Sequence, residues 1–167
     1  MTGVSPPGGL RYVLGVDLGT SECKVCLVTE IGEVVRVARA GYVTHAPRPL
    51  WAEQDPSDWW SGTVRAIRAV LASSGIAPGD IAGVGLTGQM HGLVLLDGAG
   101  NVLRPAILWN DQRTQKQCSE ITARVGASRV LQLTGNPVLA GFTAPKILWV
   151  RENEPPIFDQ TTHILLP

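Results

Sequence analysis

Three apolar runs in this chain end in clusters of polar side chains, and these clusters are where chemistry can happen. Residues 13–16 lead into Asp17, followed by Gly19, Thr20 and Ser21, in the stretch YVLGVDLGTSECK. Residues 84–86 lead into Thr87, Gln89, Met90 and His91, and residues 107–109 into Asn110, Asp111 and Arg113. In open α/β sheets, ligands gather beyond strand ends, and three such ends fit a cleft of that kind. In the first cluster Gly19 lets the backbone approach a ligand closely. Thr20 and Ser21 add hydroxyls, and turn N–H groups can form an anion-binding concavity. Asp17 then suits a magnesium ion that keeps its waters, and Lys24 adds charge. An ordinary hairpin rich in turn-forming residues explains the same letters, so spacing leaves phosphate site and hairpin both open.

The elements that must carry these residues read as α/β. Residues 12–16, 25–29 and 33–41 have strand character, with Gly32 marking a hairpin between the last two, which predicts an antiparallel meander. A helix follows, with Asp55 as cap, Pro56 at its first position and Asp58 at the positive end of the dipole. Trp60, Val64, Ile67 and Leu71 recur on it at helical spacing. Strands are expected at 81–87 and 93–96, helices at 113–125, 128–133 and 143–152, and a last strand at 162–166. The start, MTGVSPPGGLR, lacks the apolar core of a secretion signal and reads as a flexible leader over 1–11.

Bulk composition narrows the function classes. The 167 residues are 44% hydrophobic and 17% charged, which is globular. Fourteen basic side chains balance fourteen acidic ones, and no basic run occurs. That argues against nucleic acid or an anionic membrane as the main partner. No apolar run reaches the length of a membrane span. Three cysteines, an odd number, point to a reducing compartment, hence the cytoplasm. CKVC has the spacing of a redox or zinc pair, but residues three apart on a strand face opposite ways, so Cys23 and Cys26 are read as ordinary thiols.

Longer motifs carry a resemblance. GVDLGTS resembles the first phosphate motif of the actin-like ATPase superfamily. GFTAPKILWVREN resembles the signature of the FGGY carbohydrate kinases, and PLWAEQDPSDWW, GQMHG and RPAILWNDQR resemble the branch of that family acting on D-xylulose. The resemblance extends from Gly15 to Asn153. It implies a ribonuclease-H-like domain at 12–167, a mixed sheet flanked by helices, and it implies that this domain is an incomplete N-terminal part of a two-domain kinase. It further implies ATP and magnesium as cofactors, a sugar as partner, and a homodimer as an assembly of the parent enzyme.

Residue by residue, the resemblance gives Asp17 to magnesium and phosphate handling and Gly19, Thr20 and Ser21 to the phosphate turn. It gives Met90 and His91, with Gln89 beside them, to the sugar. A histidine both donates and accepts hydrogen bonds, which suits a polyol. It gives the same role to Trp109, Asn110, Asp111 and Arg113, the Trp face packing on C–H groups. Asp111 and Arg113 can instead hold each other as a structural pair, and the residues leave both open. Trp51, Glu53 and Gln54 are read as packing and loop closure, and Lys146 as structural. The family's catalytic base is an aspartate that no aspartate here matches, so the chain alone is expected not to catalyse transfer. Kinases of ribulose, gluconate or glycerol, and a non-catalytic sugar-binding module, remain the competing expectations.

Overall fold

The computed structural model describes residues 11–167; all but Arg11 of the expected leader lies outside them. Contacts divide the described chain into two compact units, residues 11–42 with Trp59–Gly88, and Val43–Asp58 with Gln89–Pro167.

The first unit is built on the expected meander. Strands β1 (Tyr12–Leu18), β2 (Glu22–Thr29) and β3 (Val34–Gly41) pair antiparallel in series. Gly32 takes φ +90° in the β2–β3 turn, a conformation that costs an L side chain dearly and a glycine little. A later strand, β5 (Ile81–Gly88), runs parallel to β1, giving a mixed four-stranded sheet in the order β3-β2-β1-β5. Alternation along β2 buries Cys23, Val25, Leu27 and Thr29 on one face. With Leu14 and Val16 of β1 they pack on Ala66 and Val70 of helix α1 (Pro56–Ser74).

That helix starts as its sequence predicts, the Asp55 carboxylate accepting from the Ser57 N–H at 2.8 Å. Its apolar stripe is turned by one residue from the expected one. Trp59, Gly62, Ala66 and Val70 face the core, while Trp60 stands 72% exposed. The reason is close approach: a Cβ on Gly62 would lie 3.0 Å from the Tyr42 ring. Small residues that let a helix sit low do not register in a pattern built on large apolar letters. On β5, Val84 and Leu86 align with the buried Leu14 and Val16 yet stand 56% and 79% exposed, because α1 covers β1 and β2 and not β5.

The second unit holds short elements. Strand β4 (Glu53–Gln54) pairs with β7 (Ala106–Ile107), and β6 (Val94–Leu96) with β8 (His163–Leu165), all antiparallel. Helices α2 (Gln115–Val125), α3 (Ala127–Thr134) and α4 (Thr143–Asn153) fall within two residues of expectation. A short fifth, α5 (Pro155–Gln160), was not expected, although two prolines at its start are a helix-opening signal. Leu93, Leu95, Ile107, Trp149 and Val150 form the core of this unit.

Candidate functional site

Each unit carries a candidate site of its own. In the first, the β1–β2 hairpin sets Asp17 opposite Lys24, and the parallel register sets Thr87 beside Asp17. Paired residues point to the same face, so carboxylate, ammonium and hydroxyl stand in a row across three strands. Asp17 and Lys24 lie 3.7 Å apart with both side chains nearly half exposed. They border an open cavity of about 620 Å³ floored by Gly15 and Gly85, two positions where an added Cβ would meet nothing within 4 Å. The floor is therefore bare backbone.

The turn beside this cavity is a tight one. Gly19 N–H donates to the Glu22 carbonyl at 3.1 Å, and a Cβ on Gly19 would press on that same oxygen at 3.1 Å. Tyr42, one residue past β3, clamps the turn twice. Its N–H donates to the Ser21 carbonyl at 3.2 Å, and its hydroxyl donates to the Gly19 carbonyl. Burial, and then the negative groups of Cys23, Asp17 and Glu22, push the Tyr42 phenol up to about 12, so it stays a donor. Sequence reasoning missed Tyr42. The available signal was the meander itself, which returns the end of β3 to the first turn.

Among the described residues no three His, Cys, Asp or Glu side chains gather as a metal cluster. Of the residues lining the first cavity only Asp17 carries a carboxylate. One exposed carboxylate fits a magnesium ion that arrives on phosphate oxygens and retains waters, rather than one held in an all-protein cage.

In the second unit, Met90, His91 and Trp109 line one cavity of about 430 Å³ together with Gln112, Gln115 and the 138–142 loop. His91 sits at φ +61°, left-handed, and its ring packs on Phe142 at a centroid distance of 4.6 Å. Met90 and Trp109 are 65% and 45% exposed, so apolar surface faces the opening. The amides of Gln112 and Gln115 supply donors and acceptors; neither was singled out from the sequence, because the WND-x-R pattern draws attention to its charged members.

The other expected sugar residues do not line this cavity. Gln89 donates to the Gln54 side chain at 3.2 Å, and Asn110 is exposed. Asp111 is fully buried and accepts four bonds. One comes from the Ala52 N–H at 2.7 Å, and three from Arg113, through its backbone N–H, Nε and Nη2, at 2.7–2.9 Å. Of the two arrangements left open for this pair, the mutual one is present.

Arg113 extends the pairing. Its Nη1 lies 2.7 Å from Glu53 Oε1, which also takes Arg104, and Arg104 reaches Glu154 at 3.3 Å. The Arg113 guanidinium stacks 3.6 Å from the Trp51 ring centroid, and Trp51 meets Trp149 edge-on. The role read for Trp51, Glu53 and Gln54, packing and closure, matches where they lie.

Lys146 of α4 is also fully buried. Its ammonium donates to the carbonyls of His91 and Gly141, each at 2.6 Å. Burial pushes it down to about 8, Asp111 opposing and Arg113 assisting.

The chain is 49% identical to the xylulose kinase of Escherichia coli over 154 residues, covering 92% of this chain and 31% of that protein. It is 45% identical to the xylulose kinase of Bacillus subtilis, covering 95% and 32%. The solved xylulose kinase structure from Rhodospirillum rubrum superposes with a TM-score of 0.88 at 32% identity, over 93% of this chain and 32% of that one. The chain thus spans about a third of the length of the curated relatives it matches. Residues 12–167 match the N-terminal domain of the FGGY family of carbohydrate kinases, and the chain belongs to that family.

Proposed function

We propose that this chain is the sugar- and phosphate-binding part of an enzyme that transfers the γ-phosphoryl group of ATP to D-xylulose, giving xylulose 5-phosphate. The observation that carries this reading is the cavity of Met90, His91 and Trp109, an apolar surface with a hydrogen-bonding imidazole at its rim. A sugar offers C–H faces and hydroxyls in the same molecule, and both kinds of partner are met there. The curated relatives at 45–49% identity are xylulose kinases, which supports the choice of substrate.

The chain's residues divide the work. His91 exchanges hydrogen bonds with a hydroxyl, Trp109 and Met90 cover the carbon face, and Gln112 and Gln115 contact the remaining hydroxyls. Gln89, Asp111 and Arg113 support these loops rather than touch the sugar, and Asn110 is exposed beside Trp109. In the first unit, the turn of Gly19, Thr20 and Ser21 receives the phosphate tail. Asp17 is the residue that would hold a magnesium ion there through its retained waters, and a bound ion would supply charge neutralisation for phosphoryl transfer. None of the aspartates here matches the family's catalytic base, so we expect transfer to need residues outside this chain. We place the protein in the cytoplasm, on its three free thiols, and expect neither nucleic acid nor membrane as partner. No described helix is long and apolar enough to cross a membrane. A homodimer of the whole enzyme is the assembly to test by sedimentation.

A chimaera tests the reading. This chain replaces the matching third of the E. coli xylulose kinase, and ATP-dependent phosphorylation is measured on xylulose, ribulose, gluconate and glycerol. Turnover on xylulose above the others is expected. A soluble, folded chimaera that prefers glycerol or gluconate would assign the chain to a sibling substrate. Calorimetric binding of xylulose without turnover would favour the non-catalytic module.

A further inference from the structure

We propose that Lys146 is a positioning residue that fixes the shape of the carbohydrate cavity, by pinning the carbonyls of His91 and Gly141 to one nitrogen. The two acceptors come from separate segments. His91 lies in the loop after β5 and Gly141 in the loop before α4, and both line the cavity.

Neither carbonyl has an easy alternative. His91 holds a left-handed backbone, which for a residue with a Cβ persists only under restraint. Gly141 is wedged on the Trp109 carbonyl, where an added Cβ would stand 2.5 Å from the oxygen. Through these contacts a single side chain governs His91, the 138–142 loop and the backbone of Trp109, three sides of one cavity.

Packing alone does not account for a lysine here. An unbranched apolar side chain fills the same space without bringing a charge out of water. Asp111, the carboxylate whose charge acts on Lys146, accepts its four bonds from Ala52 and Arg113. What the ammonium adds is two hydrogen bonds, both ending on cavity walls. Lys146 touches no reacting atom in this account; it acts through His91 and Gly141.

The sugar arm of the test rests on the carbohydrate reading, and the spectroscopic arm does not. His91 is one of three histidines, so selective isotope labelling resolves its ring signals, assigned with His91→Gln. In Lys146→Met, a chain that melts cooperatively is expected to show displaced or broadened His91 signals, with those of His163 on β8 unmoved. D-Xylulose affinity by calorimetry is expected to fall at least tenfold. Lys146→Gln keeps two N–H donors and is expected to recover part of both effects. A folded Lys146→Met with His91 signals at their original positions overturns the proposal. So does failure of both variants to fold, since the role is then confined to the fold. If the unmodified chain binds no xylulose, the carbohydrate reading fails for this chain, and the His91 signals alone decide the role of Lys146.

Discussion

The candidate sites of the two units are built by opposite means. The turn proposed for phosphate is a product of regular structure. Strand pairing alone aligns Asp17, Lys24 and Thr87, and the charged pair there is exposed and 3.7 Å apart. The cavity proposed for the sugar owes little to regular structure. Its walls are mostly loops, and buried charge lies behind them: Asp111 with Arg113, Arg113 with Glu53, and Lys146 on two carbonyls. A site on a hairpin inherits its geometry from the backbone ladder. A site on loops needs polar anchors of its own, and these must be fully paired to be tolerated.

This contrast can be broken at its anchors. Asp111→Ala is expected to be the most damaging change, because it leaves Nε and Nη2 of the buried Arg113 guanidinium without their acceptor and takes away one of its two carboxylate partners. Removing one partner of a buried pair costs about 3–5 kcal/mol, so chemical denaturation should show a loss of that size or no folded chain. A loss below 1 kcal/mol would mean the network does not hold the loops.

Lys146 sharpens the comparison through pH. Its folded value is about 8 and its ordinary value 10.5, so between the two the unfolded chain binds more protons. Stability from this group therefore rises with pH across that window, and the burial cost is fully present below it. The neutral amine still has two N–H groups for its two acceptors. Subtracting the stability–pH curve of Lys146→Met from that of the unmodified chain isolates this slope; a flat or falling difference contradicts the assignment.

In the first unit the effects should be smaller. Tyr42→Phe removes the hydroxyl bond to Gly19 and is expected to cost about 1 kcal/mol, read by thermal melting. Lys24→Gln should change stability by no more than about 0.5 kcal/mol, an effect salt would mask in the unmodified chain. A large effect there would show that the ion pair holds the hairpin, against the view that the ladder does.

The same division explains what could be read in advance. The meander and the helix start follow from periodicity, Gly32 and the Asp55–Pro56 pair, all local signals; the parallel pairing of β5 with β1 joins distant segments, and only the family resemblance implied a mixed sheet. The stripe of α1 was misplaced by one residue because Gly62 lies low against Tyr42, and a glycine carries no hydrophobic mark. The polar ends of apolar runs, and then the resemblance, brought Met90, His91 and Trp109 to notice, and they do share a cavity. Gln112 and Gln115 escaped because their role depends on where loops fold back. The partner of Asp111 lay two residues away and was weighed; the partners of Lys146, at His91 and Gly141, arise from tertiary structure alone.

One feature of β2 bears on how the protein meets oxidants. Cys23 and Cys26 alternate across the strand, Cys23 beneath α1 and Cys26 on the opposite side. Three residues of extended chain separate their Cα atoms by roughly 10 Å, well past the reach of a disulfide. Internal bridging of this pair would require the hairpin to come apart, so a peroxide meeting the folded chain finds a Cys26 that cannot close onto Cys23, beside the cavity of Asp17 and Lys24. Adducts at that sulfur would crowd this cavity.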